Sequence, residues 1–158
     1  MMDKVSTFLW FDDQAEAAAK FYTGLFPDSR IGEVTRTPMD YPGGKAGDAI
    51  TVAFTLSGRS FIAMNGGPRH PFTDAISLSI DCADQAEVDH YWNALSDGGE
   101  PVQCGWIRDR YGLSWQVSPR ILLQLIADPD RAKAKRVMEA MVEMIKIDVD
   151  AIEAAAKG

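Results

Sequence analysis

The chain has 158 residues, of which 46% are hydrophobic and 25% are charged, as expected of a globular protein that can bury a substantial core. Sixteen basic and twenty-three acidic residues leave a net charge of −7, which argues against a nucleic-acid surface and against an anionic membrane. No apolar run approaches the roughly 20 residues of a membrane-spanning helix, and the first residues lack the features of a signal peptide. Because the only two cysteines, Cys82 and Cys104, show no metal or redox spacing, we predict reduced thiols in a cytoplasmic protein.

The first half of the chain is predicted to form a strand, a helix and three further strands. A strand-like run, "STFLWF" (6–11), precedes "DQAE" at Asp13–Glu16, whose D-x-x-E pattern predicts a helix N-cap. Apolar residues then recur at helical spacing until Pro27 ends the helix. Three runs with strand character follow: "RIGEVTR" (30–36), "AITVAFTLS" (49–57) and "SFIAMN" (60–65).

The same order recurs after the Gly- and Pro-rich boundary "NGGPRHPF" (65–72). "DQAE" occurs again at Asp84–Glu87, and the amphipathic helix behind it ends at Gly98-Gly99. The strand-like runs around this helix are "AISLSID" (75–81), "PVQCGWI" (101–107) and "LSWQVS" (113–118). This repeated order predicts an α+β protein built from two β-α-β-β-β modules.

At least three of these strands carry one large apolar face and one face of small or hydroxyl-bearing residues. The apolar faces suit packing under the two helices, and the other faces carry no charge. Solvent exposure on one side of the sheet is one interpretation of the small face. Exposed sheet faces usually carry charged side chains, so we favour the wall of a cavity, where small side chains leave room and offer hydrogen bonds.

Several segments resemble a known family. The paired modules, "FY" at Phe21-Tyr22 and "WIRDRYG" (106–112) resemble the vicinal oxygen chelate superfamily, which includes glyoxalases, extradiol dioxygenases and bleomycin-resistance proteins. Longer stretches look similar to its PhnB-like branch, often labelled 3-demethylubiquinone-9 3-methyltransferase. They are "FLWFDDQAEAAAKFYTGLFPDS" (8–29), "AMNGGP" (63–68) and "CGWIRDRYGLSWQVSP" (104–119). The resemblance covers residues 5 to about 126 and also the helical tail.

This resemblance implies a glyoxalase-like domain over residues 1–127, with module one at 5–66, module two at 73–126 and a C-terminal helical extension at 128–158. It also implies a U-shaped mixed sheet around a concave cavity. Metal-dependent relatives place histidines and carboxylates at positions that fall here at Thr7, near Ala75 and at Gln116. Because an amide and a hydroxyl are poor anchors for a divalent cation, we predict no metal and no cofactor.

We predict that one set of strand residues points into the cavity and that another set forms the core. The predicted ligand-binding residues are Thr7, Leu9, Phe11, Thr51, Thr55, Ser77, Ser79, Ser114 and Gln116. The predicted core residues are Phe8, Trp10, Ile76, Leu78, Ile80 and Trp115. For Gln116 the alternative role is to bridge the neighbouring hydroxyls of Ser77 or Ser79. His70, in the loop between the modules, is a candidate for a catalytic general base.

These features predict a small-molecule-binding protein of the PhnB-like type, with no assigned reaction and no need for a metal. The alternative is an enzyme of the superfamily: a metal-dependent lyase, isomerase or dioxygenase, or a methyltransferase as the inherited label says. The turn "FDDQAE" after the first strand lacks the glycines typical of S-adenosylmethionine sites, which disfavours the methyltransferase.

The tail helix that follows Asp128-Pro129 carries an apolar stripe. The stripe consists of Val137, Met138, Met141, Val142 and Ile145. It suits packing on the chain's own elements or contact with a second copy. Because paired-module relatives commonly associate, we predict a homodimer.

Overall fold

The computed structural model of the chain describes residues 3–158, which divide into two compact units between Phe72 and Thr73. The first unit contains module one, and the second contains module two with the C-terminal helices. Both modules have the predicted β-α-β-β-β order, which confirms the α+β class. No helix in residues 3–158 is both long enough and apolar enough to cross a membrane.

Module one is a four-stranded mixed sheet with one helix packed against it. Its elements are β1 (Thr7–Phe11), α1 (Ala15–Leu25), β2 (Arg30–Arg36), β3 (Ala49–Leu56) and β4 (Arg59–Asn65). The strand order is β1-β4-β3-β2, in which β1 and β4 are parallel and the other neighbours are antiparallel. Helix α1 contacts β3 and β4, so its buried side defines the core side of this sheet.

Helix α1 begins without the predicted cap. Its N-cap residue is Gln14, whose side chain makes no capping hydrogen bond. The buried Asn65 at the end of β4 does this instead, because its Oδ1 accepts from the Ala15 amide at 2.8 Å and its Nδ2 donates to the Ala49 carbonyl at 2.9 Å. The prediction that Asp13 caps α1 is therefore wrong, since a residue 50 positions away supplies the acceptor.

The side-chain parity predicted for β1 is also wrong. Thr7, Leu9 and Phe11 pair in register with the residues of β4 that lie on the side covered by α1. Leu9 and Phe11 are buried there, on the same side as Phe54, whose ring stacks with Tyr22 of α1 at a centroid distance of 6.3 Å. These three β1 residues therefore belong to the core side of the sheet and not to the small-residue face.

Phe8 and Trp10, which were predicted as core, lie on the opposite side of the sheet. Phe8 is 53% exposed. Trp10 is covered by the loop after β4, because its Nε1 donates to the Gly67 carbonyl at 2.8 Å and its ring meets His70 edge-on at 4.8 Å. A β-carbon at Gly66 would lie 2.2 Å from the Trp10 indole, so only glycine lets this loop approach.

Module two repeats the topology of module one. Its elements are β5 (Ser77–Cys82), α2 (Gln85–Ser96), β6 (Glu100–Pro101), β7 (Trp106–Arg108) and β8 (Ser114–Pro119). The strand order is β5-β8-β7-β6, and β5 and β8 are the parallel pair. The run predicted as one strand from Pro101 is broken, because residues 102–105 turn and Cys104 adopts a positive φ of 58°.

The cap predicted for α2 is confirmed. Asp84 accepts a hydrogen bond from the Glu87 amide at 3.0 Å, and the Glu87 carboxylate reaches back to the Ala83 amide at 2.7 Å. Ile80 and Trp115 are buried core residues, as predicted, and Leu78 is partly buried. The core prediction for Ile76 is wrong, since this side chain is 73% exposed just before β5 begins.

Three helices form the C-terminal part of the second unit: α3 (Arg120–Ile126), α4 (Arg131–Val142) and α5 (Val149–Lys157). They enclose a small core of their own. The buried members of this core are Leu122, Leu125, Val137, Ile147 and Ile152. Met141 packs against this core, whereas Met138, Val142 and Ile145 of the predicted stripe are exposed. The stripe is therefore divided between an internal face and a surface.

The chain segment between α4 and α5 is tied to module two by backbone and side-chain bonds. The Gly105 amide donates to the Ile145 carbonyl at 2.8 Å. The Gln85 amide group donates to the Ile147 carbonyl at 3.2 Å and accepts from the Val149 amide at 2.7 Å. These bonds fix the helices on module two rather than leaving them as a free tail.

Candidate functional site

The side of the module-two sheet that faces away from α2 carries the small polar residues predicted from the sequence. Gln116 on β8 lies opposite Ser79 of β5 and Trp106 of β7. Ser114, two residues earlier, lies opposite Ser77 of β5 and Arg108 of β7. We name this side the serine–glutamine face; it comprises Ser77, Ser79, Trp106, Arg108, Ser114 and Gln116.

Gln116 makes one of its predicted contacts within this face. Its Nε2 donates to the Ser77 hydroxyl at 2.9 Å. Its Oε1 accepts no hydrogen bond from residues 3–158, and Ser79 is exposed next to it. The predicted bridge to a neighbouring hydroxyl is therefore made by the amide nitrogen of Gln116. Its amide oxygen and the Ser79 hydroxyl remain available to a bound molecule.

Ser114 belongs to a charged cluster at one end of the face. This cluster was not predicted from the sequence. The Arg108 guanidinium binds both oxygens of Asp74, with Nε 2.9 Å from Oδ1, and also binds Glu100 at 3.1 Å. The buried Ser114 hydroxyl donates to Asp74 Oδ1. The sequence did contain a signal for Arg108 in this cluster. The alternation in "WIR" places Arg108 on the same side of the strand as the Trp106 indole.

These contacts lower the pKa of Asp74 from 3.8 to about 2, chiefly through the hydrogen bond from Arg108 and then through that from Ser114. A carboxyl whose folded pKa is depressed stabilises the fold above its ordinary pKa and loses this contribution as pH falls through the folded value. The Asp74 contribution is therefore present above about pH 4 and is lost toward pH 2.

We expect Arg108→Gln to raise the pKa of Asp74 toward 3.8, because this change removes the largest cause of the depression. Carboxyl carbon chemical shifts followed by NMR from pH 5 to 2 measure it. Arg110→Gln is the matched control, since Arg110 pairs with Asp97 and is not among the groups that lower the pKa of Asp74. An unchanged Asp74 midpoint in Arg108→Gln would show that Arg108 does not set this pKa.

The turn before β8 is held by one buried carboxylate. Asp109 Oδ1 accepts from the Tyr111 and Leu113 amides at 2.8 and 3.1 Å, and Oδ2 accepts from the Trp115 indole at 2.9 Å. Asp109 is not among the predicted site residues, and the structure gives it a structural task. It sets the register with which β8 presents Ser114 and Gln116.

In module one, the side of the sheet opposite α1 is more aromatic than predicted. Thr51 and Thr55 lie on this side, as expected, but their neighbours across the strands include Met64 and Trp10. Thr7, Leu9 and Phe11 are absent from it, because they lie on the side of the sheet that α1 covers. His70 is exposed and stands against Trp10, and a catalytic role for it stays a prediction.

The residues at the family's metal positions do not fit a divalent metal. Thr7 lies on the core side of β1, and the adjacent residue on the other side is Phe8. Ala75 precedes β5, and Gln116 offers a neutral amide. No group of three or more His, Cys, Asp or Glu residues within residues 3–158 is arranged to hold a metal ion.

The comparisons with known proteins match the region that contains both modules. The family model for 3-demethylubiquinone-9 3-methyltransferase matches residues 3–118. A solved structure of a putative 3-demethylubiquinone-9 3-methyltransferase, PhnB protein, from Bacillus cereus is 34% identical, covering 74% of this chain and 99% of that one, with a TM-score of 0.67. A crystal structure of a Pseudomonas aeruginosa protein has 16% identity, coverage of 72% and 94%, and a TM-score of 0.60, which supports the fold alone. No curated protein matches the chain.

Proposed function

We propose that this chain, which belongs to the 3-demethylubiquinone-9 3-methyltransferase family, binds a small organic molecule on the serine–glutamine face without a metal. Its family is the PhnB-like branch of the vicinal oxygen chelate superfamily. The observation that carries the proposal is the free Oε1 of Gln116 beside the Ser79 hydroxyl and the half-buried Trp106 ring. An indole next to a few oriented polar groups is a typical small-molecule surface.

The chemistry of the face favours an uncharged ring that carries oxygen substituents. Gln116 Oε1 accepts a hydrogen bond from a hydroxyl, and the Ser79 hydroxyl can donate to a carbonyl or a second hydroxyl. The nearby charged cluster offers no positive excess, because the one guanidinium of Arg108 is engaged by two carboxylates, Asp74 and Glu100. An anionic ligand would have to displace one of these carboxylates, so a phenol or quinone fits better than a phosphonate.

The methyltransferase name is not supported by the start of α1. An S-adenosylmethionine site of the common kind uses a glycine-rich turn between a strand and a helix. Here the turn from β1 to α1 contains no glycine, and the Ala15 amide is already bound by Asn65 Oδ1. We therefore propose binding as the activity, and an enzyme of the superfamily as the second candidate, for which His70 would be the base to test.

We also propose that the protein is a homodimer and works in a reducing compartment such as the cytoplasm. Cys82 and Cys104 are both free thiols, and burial raises the pKa of Cys82 to about 12. The exposed apolar residues of α4 support association.

A ligand screen tests this function. We expect neutral phenols and quinones, rather than phosphonates, to raise the Tm in a thermal-shift panel. Gln116→Ala should weaken binding of the best phenol about 2- to 12-fold by calorimetry, because a net hydrogen bond contributes roughly 0.5–1.5 kcal/mol. Gln124→Ala, at an exposed position of α3, is the control and should bind like the parent chain.

Treatment with EDTA is the second arm of this experiment. We expect an unchanged Tm and unchanged phenol binding after removal of divalent ions, because no group of three or more His, Cys, Asp or Glu residues within residues 3–158 could hold one. A metal bound only to the folded chain would add stability through linkage. A lower Tm with EDTA would therefore contradict metal independence, and equal binding by Gln116→Ala would contradict the site.

A further inference from the structure

Helix α4 has an exposed apolar side in addition to the side that packs into the small core enclosed by α3, α4 and α5. Val137 is fully buried, whereas Met138 is 51% exposed and Val142 is 41% exposed. These two residues line a groove of about 320 Å³ together with Ala134 and Ile126. Ala134, Met138 and Val142 follow each other at intervals of four, so they form one continuous ridge along α4.

A charged ridge runs beside this apolar ridge. It consists of Arg131, Lys135, Glu139 and Glu143, again at intervals of four and all exposed. The two cations occupy the N-terminal half of α4 and the two carboxylates lie toward its C-terminal end. Three members of the charged ridge, Arg131, Lys135 and Glu139, border the groove.

This charge order is self-complementary in one orientation only. Read backwards, the order of two cations and two anions becomes two anions and two cations. A second copy of α4 running antiparallel therefore places opposite charges against each other along the whole ridge, whereas a parallel copy places like charges together. Antiparallel helix dipoles also attract each other.

We propose that α4 binds α4 of a second copy in antiparallel orientation, about a two-fold axis between residues 137 and 138. In this arrangement Arg131 faces Glu143 of the second copy, and Lys135 faces its Glu139. On the apolar ridge the small Ala134 faces the larger Val142, which lets the two helices approach around Met138. This inference rests on the proposed homodimer and assigns its surface.

The C-terminal extension lies outside the residues that the family model matches. The family model ends at residue 118, and α3 begins at Arg120. A surface on α4 is therefore additional to whatever the two modules do. Because one 12-residue helix is about 18 Å long, its contact is smaller than a standard interface of about 800 Å² per partner, and we expect micromolar affinity that weakens with salt.

The apolar ridge is tested with two glutamate variants of similar starting exposure. Met138→Glu should raise the dimer dissociation constant at least 10-fold in sedimentation equilibrium of the full chain. Leu123→Glu, at a 56% exposed position of α3 outside the groove, is the control and should leave the constant within 2-fold. Circular dichroism checks that each variant is folded.

The charged ridge is tested by mixing two single variants. Lys135→Glu makes the central pair of the ridge acidic, and Glu139→Lys makes it basic, so each variant alone should dimerise at least 10-fold more weakly. An equimolar mixture should restore association, because each acidic ridge then meets a basic one. Loss of the Lys135–Glu139 pair within one chain cannot produce this rescue. Lys20→Glu on α1 is the control for net charge.

Three results overturn the proposal in different ways. A dimer that survives Met138→Glu removes α4 as the surface but leaves the homodimer. A parent chain that is monomeric at 100 micromolar removes both, while phenol binding by calorimetry still decides the proposed ligand function. Dimers lost in each charge variant but not rescued by mixing would exclude the antiparallel arrangement.

Discussion

We expect Asp109→Asn to lower the free energy of unfolding by about 3 kcal/mol, because the buried carboxylate accepts three hydrogen bonds and an amide can accept only on one side. If the new oxygen keeps the Tyr111 and Leu113 amides, the new NH₂ group faces the Trp115 indole N–H. Two donors then meet in a site where Asp109 is 4% exposed. Urea unfolding measures the loss, and the Tm should fall by about 6 to 12 °C.

Asp97→Asn is the matched control for this substitution. Asp97 is highly exposed and pairs with the surface Arg110 at 3.1 Å, so the same chemical change should alter stability by less than about 0.5 kcal/mol. If Asp109→Asn were as mild as this control, another acceptor would have to satisfy Trp115, and the turn would not depend on the carboxylate.

We expect Gly105→Ala to lower the free energy of unfolding by about 3 kcal/mol, from two sources. Its φ is +79°, where a side chain costs roughly 1–2 kcal/mol. The added β-carbon would also lie 2.8 Å from the Val117 carbonyl oxygen and 3.0 Å from Ile147 Cγ1, and such overpacking costs roughly 1–3 kcal/mol. The contacts pushed apart are those that join β8 to the segment between α4 and α5.

Gly112→Ala separates these two sources. Its φ is +85°, but a β-carbon there meets nothing within 4 Å, so only the backbone cost of about 1 kcal/mol should appear in urea unfolding. Limited proteolysis supplies a second measurement, because only Gly105→Ala should speed cleavage between residues 143 and 148. Equal losses of unfolding free energy in the two variants would mean that packing at Gly105 does not hold the C-terminal helices on module two.

Much of the architecture could be predicted from local patterns. The two β-α-β-β-β modules follow from hydrophobic periodicity and the repeated "DQAE", and the cap of α2 follows from Asp84 and Glu87 alone, because these groups bond within four residues of each other. The polar alternation of β8 likewise places Gln116 and Ser114 away from α2, as expected from the period of two along a strand.

The first copy of "DQAE" shows where local patterns stop being sufficient. The chain there has the same four residues as in module two. Helix α1 nevertheless starts at Ala15, because Asn65 on the neighbouring strand supplies the acceptor for the Ala15 amide. A contact between two residues that are 50 positions apart cannot be detected from a four-residue motif. Asp74 and Arg108 were missed for the same reason, since 34 residues separate them.

The sequence by itself determined the order of the elements, the repeat and the polar side of β8, because each depends on spacing within one helix or strand. Only the tertiary structure decided which side of β1 is buried and which part of the α4 stripe is exposed. In "FLWF" every residue is apolar, so alternation cannot choose a side, and pairing with β4 beneath α1 places Leu9 and Phe11 inside. On α4 the stripe is wider than the core it meets, and the three-helix packing buries Val137 while leaving Met138 at the surface.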